Sequence, residues 1–178
     1  MSYYPILSAP YCTGRTTLYN FPPNSWEPID KCDQFVSLTY IKDGLWYSKT
    51  IDKLKYQEYK VINYSDIIDL KSDSALGLLS LSKEELPEKS RELPDTNCNH
   101  TSTPAYRATL SLQSKFSETC YQGEVDPFSP KGSMLTFSPF MQFGNNIENY
   151  FLLINLEKKA ENRAVEVKIY DANTKDLK

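Results

Sequence analysis

The feature that most constrains the fold is a two-residue turn, Asp43-Gly44, between two β-rich runs in FVSLTYIKDGLWYSKTID. Both central residues of a type I′ turn need a positive φ, which glycine adopts freely and aspartate tolerates. The stretch therefore predicts a tight β-hairpin with a fixed register. Its predicted cross-strand pairs are Ile41 with Trp46, Tyr40 with Tyr47 and Leu38 with Lys49.

The two faces of this hairpin differ in chemistry, because side chains alternate across a strand. The predicted core face carries Val36, Leu38, Tyr40, Tyr47 and Ile51. The opposite face is mostly hydroxyl with aromatic rings towards its ends, and it carries Phe35, Ser37, Thr39, Ile41, Trp46, Ser48 and Thr50. We interpret this aromatic-plus-hydroxyl face as a candidate contact surface, with Trp46 exposed near the hairpin tip.

Alternating patterns recur in the second half of the chain. In YRATLSLQSKF the polar residues are predicted to face solvent, and the residues predicted to point inward are Ala108, Leu110, Leu112 and Phe116. A strand with one solvent-exposed face and one buried face is typical of an antiparallel sheet. Further strands are predicted in SMLTFSPFMQF, NYFLLINLE and RAVEVKIYD.

The secondary structure of two shorter segments is less clear from the sequence. ALGLLSL fits either a buried strand or a helical turn, since periodicity does not separate them at this length. Ser82 and Glu85 have the spacing of a capping box, which predicts one short helix before Pro87 ends it.

Composition agrees with an all-β fold, because 13 tyrosines and only 6 glycines among 178 residues favour pleated surfaces. We predict one domain over residues 1–178, a two-layer antiparallel β-sandwich with at most one or two short helices. Its proline-rich residues 1–30 are expected to pack on it as a segment with one short strand, TTLYNF. Strand number alone leaves jelly-roll topology, immunoglobulin-like topology and a barrel open.

Charge and hydropathy narrow the classes of partner. The net charge is −3 and the basic residues are scattered, so neither nucleic acid nor a membrane surface is expected as a partner. No apolar run approaches the roughly 20 residues that span a bilayer. The first residues lack the pattern of a secretory signal, so a cytoplasmic location is expected.

The four cysteines, Cys12, Cys32, Cys98 and Cys120, are expected to be reduced in such a location. Cys98 and His100 form the one tight pair of potential zinc ligands, and His100 is the only histidine. Structural zinc sites use two tight pairs, so we predict neither a metal nor a cofactor.

The stretch YQGEVDPFSP places Glu124 and Asp126 at alternate positions after a strand-like run. In an extended strand their side chains lie on one face about 7 Å apart. That separation suits a pair of catalytic carboxylates in glycoside cleavage, and carboxylates of this kind also bind calcium. A paired-acid catalyst needs an apolar pocket that keeps one acid protonated, and the sequence does not indicate which of the two acids that would be.

We therefore predict a non-catalytic recognition or accessory module that binds a protein or a glycan. Its predicted binding residues are Trp46, Tyr121, Glu124, Asp126 and Phe128. One alternative is a small hydrolase or lyase that uses Glu124 and Asp126, with Arg107 or Tyr121 as a helper. Another is a homo-oligomeric structural subunit that pairs through exposed strand edges.

Overall fold

The computed structural model describes residues 3–6, 11–20, 32–67, 77–96, 108–121, 144–146, 156–161, 168, 173–174 and 176–177. These residues form nine β-strands and one 3-10 turn, Tyr64–Asp66. The strands are β1 (Tyr3–Pro5), β2 (Thr13–Tyr19), β3 (Gln34–Lys42), β4 (Leu45–Leu54), β5 (Tyr59–Asn63), β6 (Gly77–Ser82), β7 (Lys89–Ser90), β8 (Ala108–Gln113) and β9 (Glu118–Tyr121). In this part of the chain no helix is long and apolar enough to cross a membrane.

The strands form two antiparallel sheets. Sheet A has the order β1-β6-β3-β4-β7, and sheet B has the order β5-β2-β8-β9. The prediction of an all-β fold with two antiparallel layers is therefore confirmed. The described parts of residues 1–30 include β1 at one end of the sheet A order and β2 inside sheet B, so this segment supplies strands to both layers.

The β3–β4 hairpin has the predicted turn and register. Asp43 and Gly44 have φ values of 51° and 70°, as a type I′ turn requires. The predicted pairs of Ile41 with Trp46 and Tyr40 with Tyr47 are present. A bulge between Val36 and Ser37 shifts the register towards the far end of the hairpin.

A hydrophobic core lies between the two sheets. Its buried members are Tyr4, Leu18, Val36, Leu38, Leu54, Ile62, Tyr64, Leu79, Leu81, Ala108 and Leu110. Tyr40 and Ile51 pack against this core and are partly buried, so the core face predicted for the hairpin is confirmed there. Antiparallel strands with one apolar face each supply the two halves of this core.

Most of the opposite face of sheet A is also buried, contrary to our prediction of an exposed aromatic-plus-hydroxyl face. Of the predicted residues, Thr50 is exposed, and Phe35 and Ile41 are half-buried. Ser37 and Thr39 are fully buried, Ser48 is nearly so, and Trp46 is only 1% exposed. A second apolar cluster covers this face and consists of Tyr3, Trp46, Leu78, Leu93 and Leu156. Most of the predicted contact surface is therefore part of the interior.

Hydrogen bonds to the backbone carbonyls of Pro94 and Lys158 connect the covering segments to this second cluster. The carbonyl of Lys158 accepts hydrogen bonds from the Trp46 indole, at 2.8 Å, and from the Leu93 amide, at 2.7 Å. The Tyr3 hydroxyl donates to the carbonyl of Pro94 at 2.7 Å. Burial raises the pKa of the Tyr3 phenol, so this donor stays protonated.

Strand β6 settles the ambiguity of ALGLLSL, because all six of its residues are buried and it pairs with both β1 and β3. The helix predicted from Ser82 and Glu85 is not present. Ser82 instead ends β6, opposite Phe35, and its hydroxyl donates to the carbonyl of Glu84 at 2.7 Å. Pairing within a buried sheet outweighs the local capping signal.

Strand β8 follows the predicted alternation at Ala108 and Leu110, which are buried. The prediction that Phe116 points inward is wrong, because Phe116 is 89% exposed. The strand ends at Gln113, and Ser114 closes a turn by donating its amide to the carbonyl of Ser117 at 2.8 Å. The other three predicted strands lie almost entirely outside the described residues. The structure describes none of SMLTFSPFMQF, only Lys168 of RAVEVKIYD, and only Leu156 and Glu157 of NYFLLINLE.

Asn20 joins the two sheets where the chain crosses from β4 to β5. Its side-chain amide donates to the carbonyls of Cys32 and Leu54, at 3.0 and 3.1 Å. Its backbone N–H donates to Glu58, and its carbonyl accepts from Gln57. The residue is only 3% exposed, so these groups have little access to water as a substitute partner.

We expect Asn20→Ala to lower the free energy of unfolding by about 2–3 kcal/mol, because two carbonyls lose their amide partner in a poorly hydrated site. Urea denaturation measures the loss, with an unchanged slope. Asn63→Ala is the matched control, since Asn63 is exposed and its amide makes one hydrogen bond, to Asp66. Equal stability of the two variants would contradict the role of Asn20.

We expect Gly44→Ala to lower the free energy of unfolding by about 1–2 kcal/mol, because an L-residue is strained at a φ of +70°. A Cβ atom at this position meets nothing within 4 Å, so the loss is conformational and not steric. Gly44→Asn should lose less, since asparagine visits the left-handed region more readily. Thermal unfolding of the two variants checks this order.

Candidate functional site

The structure tests the predicted binding residues unequally. Glu124, Asp126 and Phe128 lie outside the described residues. Tyr121 is the last residue of β9, where its backbone pairs with that of Leu110. Trp46 is buried in the second cluster, so its predicted exposure at the hairpin tip is wrong.

Three of the four cysteines lie within the described residues. Within these ranges no group of three or more His, Cys, Asp or Glu side chains is close enough to hold a metal ion. Cys12, Cys32 and Cys120 are free thiols, whereas Cys98 and His100 fall outside the described ranges.

The outer face of sheet B is the most distinctive exposed surface of the described chain. On β2, β5 and β8 the residues that face the core include Leu18, Ile62 and Leu110. The alternate residues face outward. The register places Tyr19 beside Tyr59, and Thr17 between Val61 and Thr109. We call this set the tyrosine face: Thr17, Tyr19, Tyr59, Val61 and Thr109.

The two rings of the tyrosine face form a contact pair. The centroids of Tyr19 and Tyr59 are 6.4 Å apart, and the ring planes are inclined at 36°. Tyr59 is 62% exposed and Val61 is 40% exposed, whereas Tyr19, Thr17 and Thr109 are half-buried. The face thus combines exposed apolar carbon with hydroxyl groups that can donate and accept hydrogen bonds.

An ion pair lies further along the same outer face. Arg15 on β2 and Glu118 on β9 approach to 2.5 Å between Nη2 and Oε1, across the intervening strand β8. The side chains are 40% and 34% exposed, so the pair is a surface feature. Arg15 lies over Ser111, its cross-strand neighbour on β8, and Ser111 is nearly buried.

A second ion pair links the sheets at the β5 edge. Lys60 on β5 donates to the carboxylate of Asp52 on β4. This hydrogen bond is the main cause of the lowered pKa of Asp52, and the backbone N–H of Lys53 adds to it. Asp52 therefore stays ionised at neutral pH and is a poor candidate for a general acid.

Two further aromatic rings project beyond one end of sheet B. Tyr11 precedes β2 and is 91% exposed, and Phe116 lies in the β8–β9 turn. These rings belong to loops and do not pair with one another. They therefore provide comparison positions for the tyrosine face.

An open depression of about 510 Å³ lies near the β3–β4 turn. Its lining mixes charges of both signs and consists of Gly44, Leu45, Arg91, Glu92, Lys159, Ala160 and Glu161. Four of these seven residues are charged, and the depression is open to solvent, whereas small-molecule pockets bury most of the surface of their ligand.

No local pattern in the sequence predicts the tyrosine face, and the reason is physical. The alternation in YQEYKVIN shows that Tyr59 and Val61 share one side of a strand, but not which side is covered. Tyr19 and Tyr59 are 40 residues apart in sequence, and only the β2–β5 pairing brings them together. A preference for strand at both positions was the only local signal.

Comparisons with protein families, with curated proteins and with solved structures find no match to this chain. The class of the protein therefore follows from its own architecture. In the described part of the chain, two antiparallel sheets of five and four strands, with a hydrophobic core between them, are consistent with a β-sandwich.

We expect the Asp52 carboxyl to titrate below its ordinary pKa of 3.8, and Lys60→Gln to move its pKa back towards that value. A carboxyl with a lowered folded pKa stabilises the fold above its ordinary pKa, and this stability is lost as the pH falls through the folded pKa. Carboxyl NMR titration of the two proteins measures the shift. An unchanged pKa in the variant would contradict the Lys60 contact.

Proposed function

We propose that this protein is a non-catalytic recognition module that binds a protein or a glycan partner through the tyrosine face. The observation that carries the proposal is the exposed Tyr59 ring, which lies beside Tyr19 and next to Val61 on an open sheet surface. Rigid strands hold all five residues of the face, so little ordering is needed on binding.

The chemistry of the tyrosine face supports a binding role. A tyrosine ring offers a large apolar contact with few rotatable bonds, and its hydroxyl group adds hydrogen-bonding capacity. Thr17 and Thr109 add hydroxyl groups beside the rings, and the Thr109 hydroxyl approaches that of Tyr19 to 3.5 Å. Rings beside hydroxyl groups suit both the apolar face of a sugar and the side chains of a protein surface.

The arrangement suits binding better than catalysis. The tyrosine face is an open part of a sheet, whereas a catalytic site gains from a cavity that excludes water. Two carboxylates on strands of this region, Asp52 and Glu118, each pair with a cation. The hydrogen bond from Lys60 lowers the pKa of Asp52, which makes this carboxyl a poor proton donor.

We expect Tyr59→Ser to weaken binding to a partner about tenfold or more, because central tyrosines often dominate a binding surface. The probes are an immobilised panel of glycans and a displayed library of peptides and small domains. Tyr11→Ser is the matched control, since Tyr11 is more exposed than Tyr59 but lies off the face. Binding is measured by surface plasmon resonance against each retained probe.

The two variants distinguish a binding site on the tyrosine face from a binding site elsewhere on the protein. Loss of binding in Tyr59→Ser alone supports the tyrosine face. Equal binding by both variants and the unaltered protein would show that the partner sits elsewhere and would overturn the proposal. Circular dichroism spectra of both variants confirm that each retains its fold.

A further inference from the structure

Strand β5 leaves an open edge on sheet B in the described part of the chain. It is the first strand in the sheet order and pairs with β2 alone. Of its five residues only Ile62 is buried, while Tyr59 and Val61 are 62% and 40% exposed. A strand edge of this kind presents backbone donors and acceptors in the geometry that another strand needs.

The hydrogen bonds at the start of β5 define which backbone groups face outward. The N–H of Asn20 donates to the carbonyl of Glu58, so these two residues form a hydrogen-bonded pair. In an antiparallel ladder such pairs alternate with non-hydrogen-bonded pairs. Lys60 and Ile62 therefore bond to β2, and the N–H and C=O groups of Tyr59, Val61 and Asn63 point to the open edge.

We propose that β5 of a second copy of this chain occupies this edge, antiparallel, with a two-fold axis at Val61. This register pairs Val61 with its own copy and Tyr59 with Asn63 of the second copy. All three outward-facing residues of each strand then take part in hydrogen bonds. The contact is isologous, because each copy contributes the same surface.

Neighbouring registers are less favourable. An axis at Lys60 would place the two lysine side chains directly opposite each other, and like charges in that position repel. An axis at Ile62 would place Lys60 opposite Tyr64, which belongs to the 3-10 turn. The register centred on Val61 avoids both problems and opposes Lys60 to Ile62 of the second copy.

Charge compensation makes the Val61 register tolerable. An inward-facing lysine on an edge strand ordinarily discourages pairing with other strands. Here each Lys60 is bound by Asp52 of its own copy, which compensates its charge locally. The two lysines would lie on the diagonal, about 7–8 Å apart between their backbones, where screening weakens the remaining repulsion.

The paired strands would join two copies of sheet B into one sheet, with both tyrosine faces on the same side. Two weak sites on one rigid body bind a repeating or bivalent partner more tightly than either site alone. The dimer does not require the tyrosine face to bind a ligand, so the two proposals fail independently.

The test measures the mass of the protein by sedimentation equilibrium from micromolar to millimolar concentration. We expect a shift from the 20.5 kDa chain to twice that mass, and about tenfold or greater weakening of the dimer in Val61→Pro. Proline at this position removes a donor that faces the edge and leaves the bonds to β2 in place. Val61→Lys is a second variant that keeps the backbone donor and should weaken the dimer by charge.

Phe116→Ser is the control variant, because Phe116 is highly exposed but lies in the β8–β9 turn and not on β5. It should dimerise like the unaltered protein, whereas Lys60→Thr should dimerise more tightly. Amide hydrogen exchange provides an independent measurement in the unaltered chain. Protection of Tyr59, Val61 and Asn63 should rise with concentration, while Lys60 and Ile62 should be protected throughout.

A chain that stays monomeric at millimolar concentration overturns the proposal and leaves the edge to a strand from another protein. A dimer that Val61→Pro and Val61→Lys both leave unchanged also overturns it. Concentration-dependent protection confined to the alternate residues of β5 supports the stated register.

Discussion

The arrangement of this protein depends on the burial of strands β3 and β6 on both faces. One face of the pair contributes Val36, Leu38 and Leu79 to the core between the sheets. The other face lies under the second cluster, which includes Leu78 and Leu156. A strand covered on both sides must be apolar or hydrogen-bonded at every position, because buried polar groups need partners. The fully buried hydroxyl residues of β3 are Ser37 and Thr39. Thr39 satisfies the requirement for a partner by bonding to Ser48 across the hairpin at 3.0 Å.

Two buried hydroxyl groups test how far this condition extends. Ser37 and Ser80 face each other across β3 and β6, and neither hydroxyl oxygen has a hydrogen-bond partner. Both residues are fully buried. Small side chains at these positions let the covering segment approach the sheet, and the Tyr3 ring lies on the same face of the sheet, opposite Ser80. In this layer, close packing is therefore accompanied by two buried hydroxyl groups without hydrogen bonds, those of Ser37 and Ser80.

Because most of sheet A is covered on both faces, the proposed binding surface lies on sheet B. Its outer face keeps Tyr59 and Val61 accessible, and its β5 edge keeps backbone groups unpaired within the described chain. Asn20 and the Lys60–Asp52 pair fix this edge against sheet A, one through buried hydrogen bonds and the other through an exposed contact. These contacts connect β5, and with it the tyrosine face, to strand β4 of sheet A, which favours a rigid surface. Rigid aromatic surfaces lose little entropy on binding, which links the construction of the fold to the proposed function.

The sequence by itself determined the features that depend on local chemistry. The turn at Asp43-Gly44 fixed the hairpin and its register, because a type I′ turn needs positive φ values at both residues. Alternation identified the core faces of β3 and β8, and composition indicated an all-β fold of two antiparallel layers. These signals are short-range, so they can be read without knowing which segments meet.

Only the tertiary structure decided which faces are covered. Trp46 is buried because residues from the distant segments 92–96 and 156–160 lie across its face of the sheet, and no local pattern reports a second layer. Phe116 is exposed because β8 ends three residues before it, where a turn breaks the alternation. Tyr19 and Tyr59 meet only through strand pairing. Exposure depends on contacts between residues far apart in sequence, and alternation alone identifies the two sides of a strand without showing what covers each.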